Sequence, residues 1–382
     1  MKIKKYFDIY YKDMIVNHNH SVKDIVENSK MASLNSVFVA IRGYKHNGIN
    51  FIEEAIKNGA KTIIFDEEIS YFNKNVNFVK VSDARVELAR LLNWFYHRRN
   101  KPKIIAVTGT NGKTSVTMYT FNALKRLNIN CLLIGTEENI SFYNGRLRYI
   151  RSSNTTPSIT TIYQFMMEHP YKYIIMEASS QGICEGRLLG LKFKVVCFTN
   201  ITQDHLDYHK NVEDYYFDKT KIIGNLDKSD YLIYNYDDEI VSSYVSKFHV
   251  PFKISFSYHH HLATCYIKEQ SIYYQGNQIL TLEEINNPQI PVIYDMMVAI
   301  IIAKIYHIPH QQIQKVLQDF KGLDYRFQTI YEDSHLVIIN DSKATSPEAS
   351  FYALKSIHEN YPSFYKTVIL GGKMVDDNYD HI

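Results

Sequence analysis

Lys103-Ile104-Ile105-Ala106-Val107-Thr108-Gly109-Thr110-Asn111-Gly112-Lys113-Thr114-Ser115 is the stretch whose reading decides the fold. Ile104 to Val107 is a short apolar run, suited to a parallel strand buried on both faces. It runs into a glycine loop, and Ser115 to Arg126 is compatible with a helix. Strand, glycine loop, Lys-Thr and helix make a phosphate cradle. The glycines let backbone N–H groups close on an anion, and the helix N-terminus adds partial positive charge. In such a cradle Lys113 reaches the terminal phosphates and the Thr114 hydroxyl holds Mg²⁺. The match is imperfect: the usual pattern has its first glycine where Val107 stands, five residues before Gly112, and Gly109 is only three before. The required order of strand, loop and helix separates the stretch from an ordinary turn with a chance Gly-Lys-Thr.

The totals narrow the classes. A chain of 382 residues, 45% hydrophobic, is long enough for two or three domains, each with its own core. A net charge of +3 makes no demand for nucleic acid or an anionic membrane. Cys131, Cys184, Cys197 and Cys265 are scattered without C-x-x-C spacing, which reads as reduced thiols in a cytoplasmic protein. The N-terminus lacks the apolar core of a signal peptide. The longest apolar run, Met296 to Ala303, is too short to span a bilayer. No membrane insertion is expected, and the chain is expected to be a monomer.

Outward from the loop, residues 1–100 read as a small α/β module: strand Ser36 to Ile41, helix Phe51 to Asn58, strand Lys61 to Phe65 and helix Ala84 to Arg99. Asn100-Lys101-Pro102 serves as a linker. Residues 101–325 alternate strands and helices, with strands at 130–135, 173–176 and 195–199 and helices at 159–169, 290–305 and 311–320. That alternation implies a doubly wound parallel sheet, in which ligands sit at the carboxyl ends of the strands. Residues 326–382 carry a strand at 336–339, a helix at 347–357 and a strand at 367–370. They are too few for a free-standing domain, which usually needs roughly 100 residues.

This organisation puts chemistry at one sheet edge. Glu177 directly follows a strand and is placed as a Mg²⁺-binding carboxylate. Asp204-His205 closely follows another; His205 reads either as a metal ligand or as a structural histidine. Lys219 lies on a helix-like segment, 212–223. It reads as a solvated lysine, as a cation beside a triphosphate or, if carbamylated, as an anion that binds metal. His259-His260-His261 falls in a polar stretch away from the motifs and reads as a surface loop.

These residues resemble a family. Thr108 to Thr114, Asn154-Thr155-Thr156-Pro157, Met176-Glu177-Ala178-Ser179-Ser180, Arg187, Phe198 to His209, Glu213 and Lys219 are similar to the motifs of the Mur ligases. Within that family they are most similar to the UDP-N-acetylmuramoyl-tripeptide synthase type. Asn28-Ser29-Lys30, Ser36 to Gly43 and Asn47 to Phe51 resemble its uridine-binding domain. The resemblance implies an α/β, three-domain Mur ligase architecture. A UDP-substrate-binding domain (1–100), a central ATP-binding domain with a P-loop parallel sheet (101–325) and an incomplete C-terminal Rossmann-like domain (326–382) would follow one another. It implies an ATP- and Mg²⁺-dependent amide ligase that phosphorylates a carboxylate on a UDP-linked muramoyl peptide. An amino acid then attacks, releasing ADP and phosphate. By matching position, Gly109, Thr110, Asn111, Gly112, Lys113, Thr114 and Ser115 would cradle the phosphates. Thr114, Glu177, His205 and a carbamylated Lys219 would hold metal. Ser29, Lys30, Thr155, Thr156, Ser179 and Arg187 would contact the muramoyl peptide. Asn235 and Asp237 would line the nucleotide site, Arg326 would approach the γ-phosphate, Asp341 would orient the ribose, and Lys343 would join the nucleotide.

Three departures from the family pattern bear on function. Asn28-Ser29-Lys30 replaces Asp-Ser-Arg, and lysine lacks the bidentate fork of arginine. Val292 and Asp295 stand where the family carries adenine-side asparagines. The segment that reads the incoming amino acid would lie past Ile382, so an apparently shortened C-terminus is expected. Two other readings stay open: a related ligase for a natural product or polyglutamate, and a nucleotide-binding relative without ligase activity.

Overall fold

The computed structural model describes residues 1–11, 16–43, 46–96, 101–152, 154–202, 212–285, 289–319, 322, 324–344 and 347–371. The chain divides into two compact units. The first comprises 1–102, 156–171 and 182–192; the second comprises the remainder.

In the first unit, α1 (Ile3–Tyr10) precedes β1 (Ile25–Val26), β2 (Val37–Val39), α2 (Ile52–Lys57), β3 (Thr62–Phe65), β4 (Asn77–Lys80) and α3 (Ala84–Tyr96). The strands form a parallel sheet in the order β1-β2-β3-β4. β2 and β3 are apolar at nearly every position because helices and loops cover both faces. Phe38, Ala40, Ile52, Ala55 and Ile63 make the core between sheet and helix. The expected helix at 51–58 begins as a 3-10 turn, Gly48–Phe51, before α2.

The second unit is built on β5 (Lys103–Thr108), whose burial is complete from Ile104 onward. α4 (Lys113–Arg126) follows, then β6 (Cys131–Ile134), β7 (Glu138–Tyr143) and β8 (Arg146–Arg151). α5 (Ile159–Glu168) belongs to the first unit; β9 (Tyr173–Glu177), α6 (Ser180–Cys184), β10 (Phe193–Phe198) and α7 (Val212–Thr220) come next. β11 (Leu226–Asn235), α8 (Glu239–Ser246), β12 (Phe252–Ser257), β13 (Cys265–Lys268), β14 (Ser271–Tyr274), β15 (Asn277–Thr281), α9 (Ile290–Ile305) and α10 (His310–Asp319) complete its main body.

Its sheet has the order β15-β14-β13-β12-β11-β10-β5-β9-β6-β7-β8. The middle, from β6 through β9, β5, β10, β11 and β12 to β13, is parallel. Both ends are antiparallel hairpins, which the sequence reading does not contain. One of them turns at Asn144-Gly145, with φ of 49° and 76°. An Asn-Gly pair is suited to the positive-φ turn that joins twisted strands. β5 lies between β9 and β10, so the chain leaves it for one side of the sheet and later returns to the other. A crevice opens at such a reversal, outside the carboxyl ends of the strands.

α9 is apolar on all sides from Met296 to Ala303 and is buried against α4 and the sheet. Pro291 sits in its first turn, where the missing N–H costs no helical hydrogen bond. β16 (Gln328–Glu332) and β17 (Val337–Asn340) pair antiparallel, and α11 (Pro347–Asn360) follows. The strand expected at 367–370 is irregular: no neighbouring strand pairs with it among the described residues, and Ile369 is 94% exposed.

Candidate active site

The loop between β5 and α4 is a nest of backbone groups held from outside. Thr110 N–H donates to Asn200 O at 2.9 Å, and Asn111 N–H donates to Asn200 Oδ1 at 2.9 Å. The Thr199 hydroxyl donates to Asn111 O at 2.5 Å. Thr110 Oγ1 lies 3.1 Å from the Tyr215 hydroxyl on α7. Gly112 caps α4 at φ +86°, a left-handed conformation that a side chain disfavours. A Cβ there would also fall inside contact distance of Asp295 Oδ1 and lie 3.2 Å from its Cγ.

Two lysines converge on this nest. Lys113 Nζ donates to Gly109 O and Thr110 O, both at 2.8 Å. Lys219 is 2% exposed rather than solvated; its Nζ donates to Gly109 O at 3.0 Å and lies 4.6 Å from the Tyr215 ring centre. The Ser115 hydroxyl bonds the buried Asp295 carboxyl, and the charges of Lys113 and Arg326 reach the same carboxyl. Arg326 Nε and Thr108 Oγ1 are buried without a hydrogen-bond partner among the described residues. Buried donors left unpaired in this way are where a bound anion gains most.

Glu177 stands one strand away. It pairs in register with Val107, and Ala178 N–H donates to Val107 O at 2.8 Å, so it shares the loop's edge of the sheet. Its carboxylate is fully buried. Oε1 accepts Thr136 N–H at 3.1 Å, and Oε2 accepts the Thr136 hydroxyl at 2.8 Å. The Thr155 hydroxyl lies 3.0 Å from that of Thr136. Ser179 follows β9 by two residues and is half-buried. His205 lies outside the described residues.

Asn235 ends β11 at the same edge, and Asp237 follows two residues beyond it. Asn235 Oδ1 accepts Asp237 N–H at 3.0 Å. Asp237 accepts from Ser257 Oγ (2.5 Å), Tyr258 N–H (2.6 Å) and Tyr294 Oη (2.7 Å). Burial pushes its carboxyl up, but the bonds from Ser257, Tyr294, Tyr258 and His259 outweigh this and hold it below the ordinary carboxylate range. His260 Nε2 is 3.9 Å from Asp237, and its ring packs edge-on against Tyr236. The histidine triplet is therefore on the surface but beside a motif residue, not remote from the motifs. Asp341 accepts Phe327 N–H at 2.9 Å. Burial raises its carboxyl, against that bond and the nearby Arg326 charge. Lys343 pairs with Glu137 and lies 5.4 Å from the Tyr325 ring centre.

In the first unit, Ser29 donates to Glu54, and Asn28 Oδ1 accepts Lys30 N–H at 3.0 Å while the Lys30 side chain is exposed. Thr156 is fully buried; its carbonyl accepts from Arg187 at 2.8 Å, and Arg187 is also paired with Glu185 at 2.6 Å.

The structure thus gathers the loop residues 109–115 with Lys219, Arg326 and Glu177 at one edge of one sheet. It adds Thr136, Thr199, Asn200 and Tyr215, to which sequence reasoning gave no role, and Asp295, which it named only as a departure from the family pattern. Thr199 and Asn200 carried a signal, as part of the quoted motif from Phe198 to His209.

Fold and loop together define an α/β protein with a strand, glycine loop and helix of P-loop type. Residues 107–297 match the family model described as Mur ligase middle domain, and residues 26–96 match the Mur ligase family catalytic domain. The chain belongs to the Mur ligase family. It is 35% identical over 230 residues to a UDP-N-acetylmuramoyl-L-alanyl-D-glutamate--2,6-diaminopimelate ligase of Caldanaerobacter subterraneus, covering 59% of this chain and 46% of that protein. It is 29% identical over 371 residues to a ligase of the same description from Alkaliphilus oremlandii, covering 94% of this chain and 74% of that protein. The chain thus spans about half the length of the first of these relatives. Among solved structures, a ligase of that same description superposes with a TM-score of 0.73 at 22% identity, covering 92% of this chain and 73% of that one. The MurF ligase of Thermotoga maritima in complex with ADP superposes at 0.58 with 16% identity, covering 88% and 74%.

Proposed function

We propose that the protein is an ATP-dependent, ADP-forming amide ligase that adds an amino acid to a UDP-N-acetylmuramoyl peptide in peptidoglycan precursor synthesis. The observation that carries this reading is the convergence of Lys113, Lys219, Arg326 and the Gly109–Thr114 backbone at the edge that also carries Glu177. It is joined to relatives named as UDP-N-acetylmuramoyl-L-alanyl-D-glutamate--2,6-diaminopimelate ligases.

The chemistry follows from charge. Transferring a phosphoryl group from ATP to a carboxylate brings two anions together, and the site must offset their repulsion. Lys113 would exchange the Gly109 and Thr110 carbonyls for β- and γ-phosphate oxygens, and Arg326 would take the γ-phosphate. Asn235, Asp237, Asp341 and Lys343 would position the nucleoside. Ser29, Lys30, Thr155, Thr156, Ser179 and Arg187 would hold the uridine-linked peptide. The amine of the incoming amino acid then attacks the acyl phosphate carbon, forming the C–N bond as phosphate leaves.

Thr114 and Glu177 offer oxygen donors, the set that Mg²⁺ prefers, with His205 as a further candidate. Bound there, Mg²⁺ would neutralise phosphate charge. As a carbamate Lys219 would turn from the cation that now bonds the Gly109 carbonyl into an anion that binds metal. The three-part division into 1–100, 101–325 and 326–382 carries uridine, ATP and ribose roles in turn. The protein would be a cytoplasmic monomer; the scattered free thiols fit the compartment.

The test is phosphate release from ATP with UDP-muramoyl-dipeptide and candidate amino acids. Release that requires both substrates and is abolished by Lys113→Ala is expected. Turnover unchanged in that variant removes the loop from the mechanism, and ATP binding without turnover under any pairing removes the ligase reading.

A further inference from the structure

The phosphate cradle contains an acid that the ligase chemistry does not use. Asp295, in the second turn of α9, directs its carboxyl onto Gly112 at the cap of α4, where the loop must receive negative charge. A phosphate brought to Gly112 and an ionised carboxylate already against it repel each other strongly in a buried setting. We propose that Asp295 is a proton-linked gate on the loop: polyphosphate enters with a proton on this carboxyl, and the ionised carboxylate excludes it. The inference rests on the nucleotide role of the loop proposed above.

The groups that face Asp295 support a single titration. From α4 come Lys113, the Ser115 hydroxyl and Tyr119; from β10 comes Cys197; from the segment after α10 comes Arg326. Burial pushes the Asp295 carboxyl up to about 8, against the Ser115 bond and the Arg326 and Lys113 charges. Burial together with the Asp295 charge drives the Tyr119 phenol and the Cys197 thiol upward, away from this range. Arg326 stays charged throughout.

The sign follows. A bound polyphosphate is a like charge, so it raises the carboxyl's proton affinity further. Binding is therefore at full strength below about pH 8 and weakens as pH rises through it. One proton moves from solvent to Asp295 for each nucleotide bound at high pH.

The experiment uses the full chain and ADP, whose terminal phosphate is already ionised above its pKa of about 6. Calorimetry at pH 8.5 to 9 in two buffers of different ionisation enthalpy should show uptake approaching one proton per ADP, falling toward zero at pH 7. The ADP Kd should rise by up to about ten-fold per pH unit above that range. Asp295→Asn should bind with no uptake and a flat profile. ADP binding without uptake in the wild type overturns the gate while leaving the loop's nucleotide role intact, and so does a variant that keeps the wild-type profile. No ADP binding at any pH overturns both.

Discussion

Replacing Gly112 by alanine tests the geometry of the loop in a way that separates backbone from contact. The position holds φ +86°, where an L-residue costs about 1–2 kcal/mol. The added methyl also meets the buried Asp295 carboxyl, and overpacking of this kind costs about 1–3 kcal/mol. Gly112→Ala should therefore destabilise the second unit by about 2–5 kcal/mol. The two parts come apart in a double-mutant cycle. With Asp295→Ala the contact is gone and only the backbone cost remains, so the coupling should recover about 1–3 kcal/mol. Urea unfolding followed by far-UV ellipticity gives the four free energies. Trp94, the only tryptophan, lies in the first unit, so its fluorescence reports that unit separately and should shift little. Single-variant costs that add to within about 0.5 kcal/mol would refute the close approach of Asp295 to Gly112.

Lys219→Ala should be inactive yet partly restored by short carboxylic acids that replace a carbamate. Absence of rescue, together with no CO₂-labile mass adduct on the wild type, argues for a plain cation at the Gly109 carbonyl instead. Asp237→Asn should lose stability at neutral pH and flatten the acid limb of the stability curve. The native carboxyl sits below its ordinary range, so its contribution is complete above the unfolded pKa of about 3.9 and disappears as pH falls through the lower native value. Thermal unfolding from neutrality to about pH 2 checks this, and an unchanged acid limb in the variant would show that the four bonds do not hold the charge.

How much of this was legible depended on how local the signal was. β5, β9, β10 and α9 were readable because each is an apolar run whose neighbours on both sides are buried, and their bounds moved by only a few residues. The edge hairpins were harder, since β8 is exposed along nearly its whole length and its alternation, Arg146-Leu147-Arg148-Tyr149, is short. Asn144-Gly145 was nonetheless a turn signal in plain sight. Lys219 looked like a solvated lysine because nothing near it in sequence reveals that Tyr215 and the Gly109 carbonyl enclose it. His260 looked remote for the same reason, although β11 and β12 are neighbours and bring it to Asp237. Motif residues were found because their spacing along the chain is fixed; their partners were missed because they are fixed only by the sheet.

The arrangement of the cradle bears on how a nucleotide would enter it. Lys113 is turned onto two neutral carbonyls of its own loop, and Lys219 onto one of the same two. Bonds from an ammonium to an anionic phosphate oxygen are shorter and about twice as strong as neutral ones. A phosphate that draws Lys113 away therefore replaces weaker acceptors with stronger ones while the backbone nest stays in place, held by Asn200 and Thr199. What opposes this exchange is not the loop but the carboxyl of Asp295 against Gly112. A loop so well prepared for anions, backed by an acid whose charge depends on pH, makes proton occupancy rather than loop rearrangement the step that controls binding.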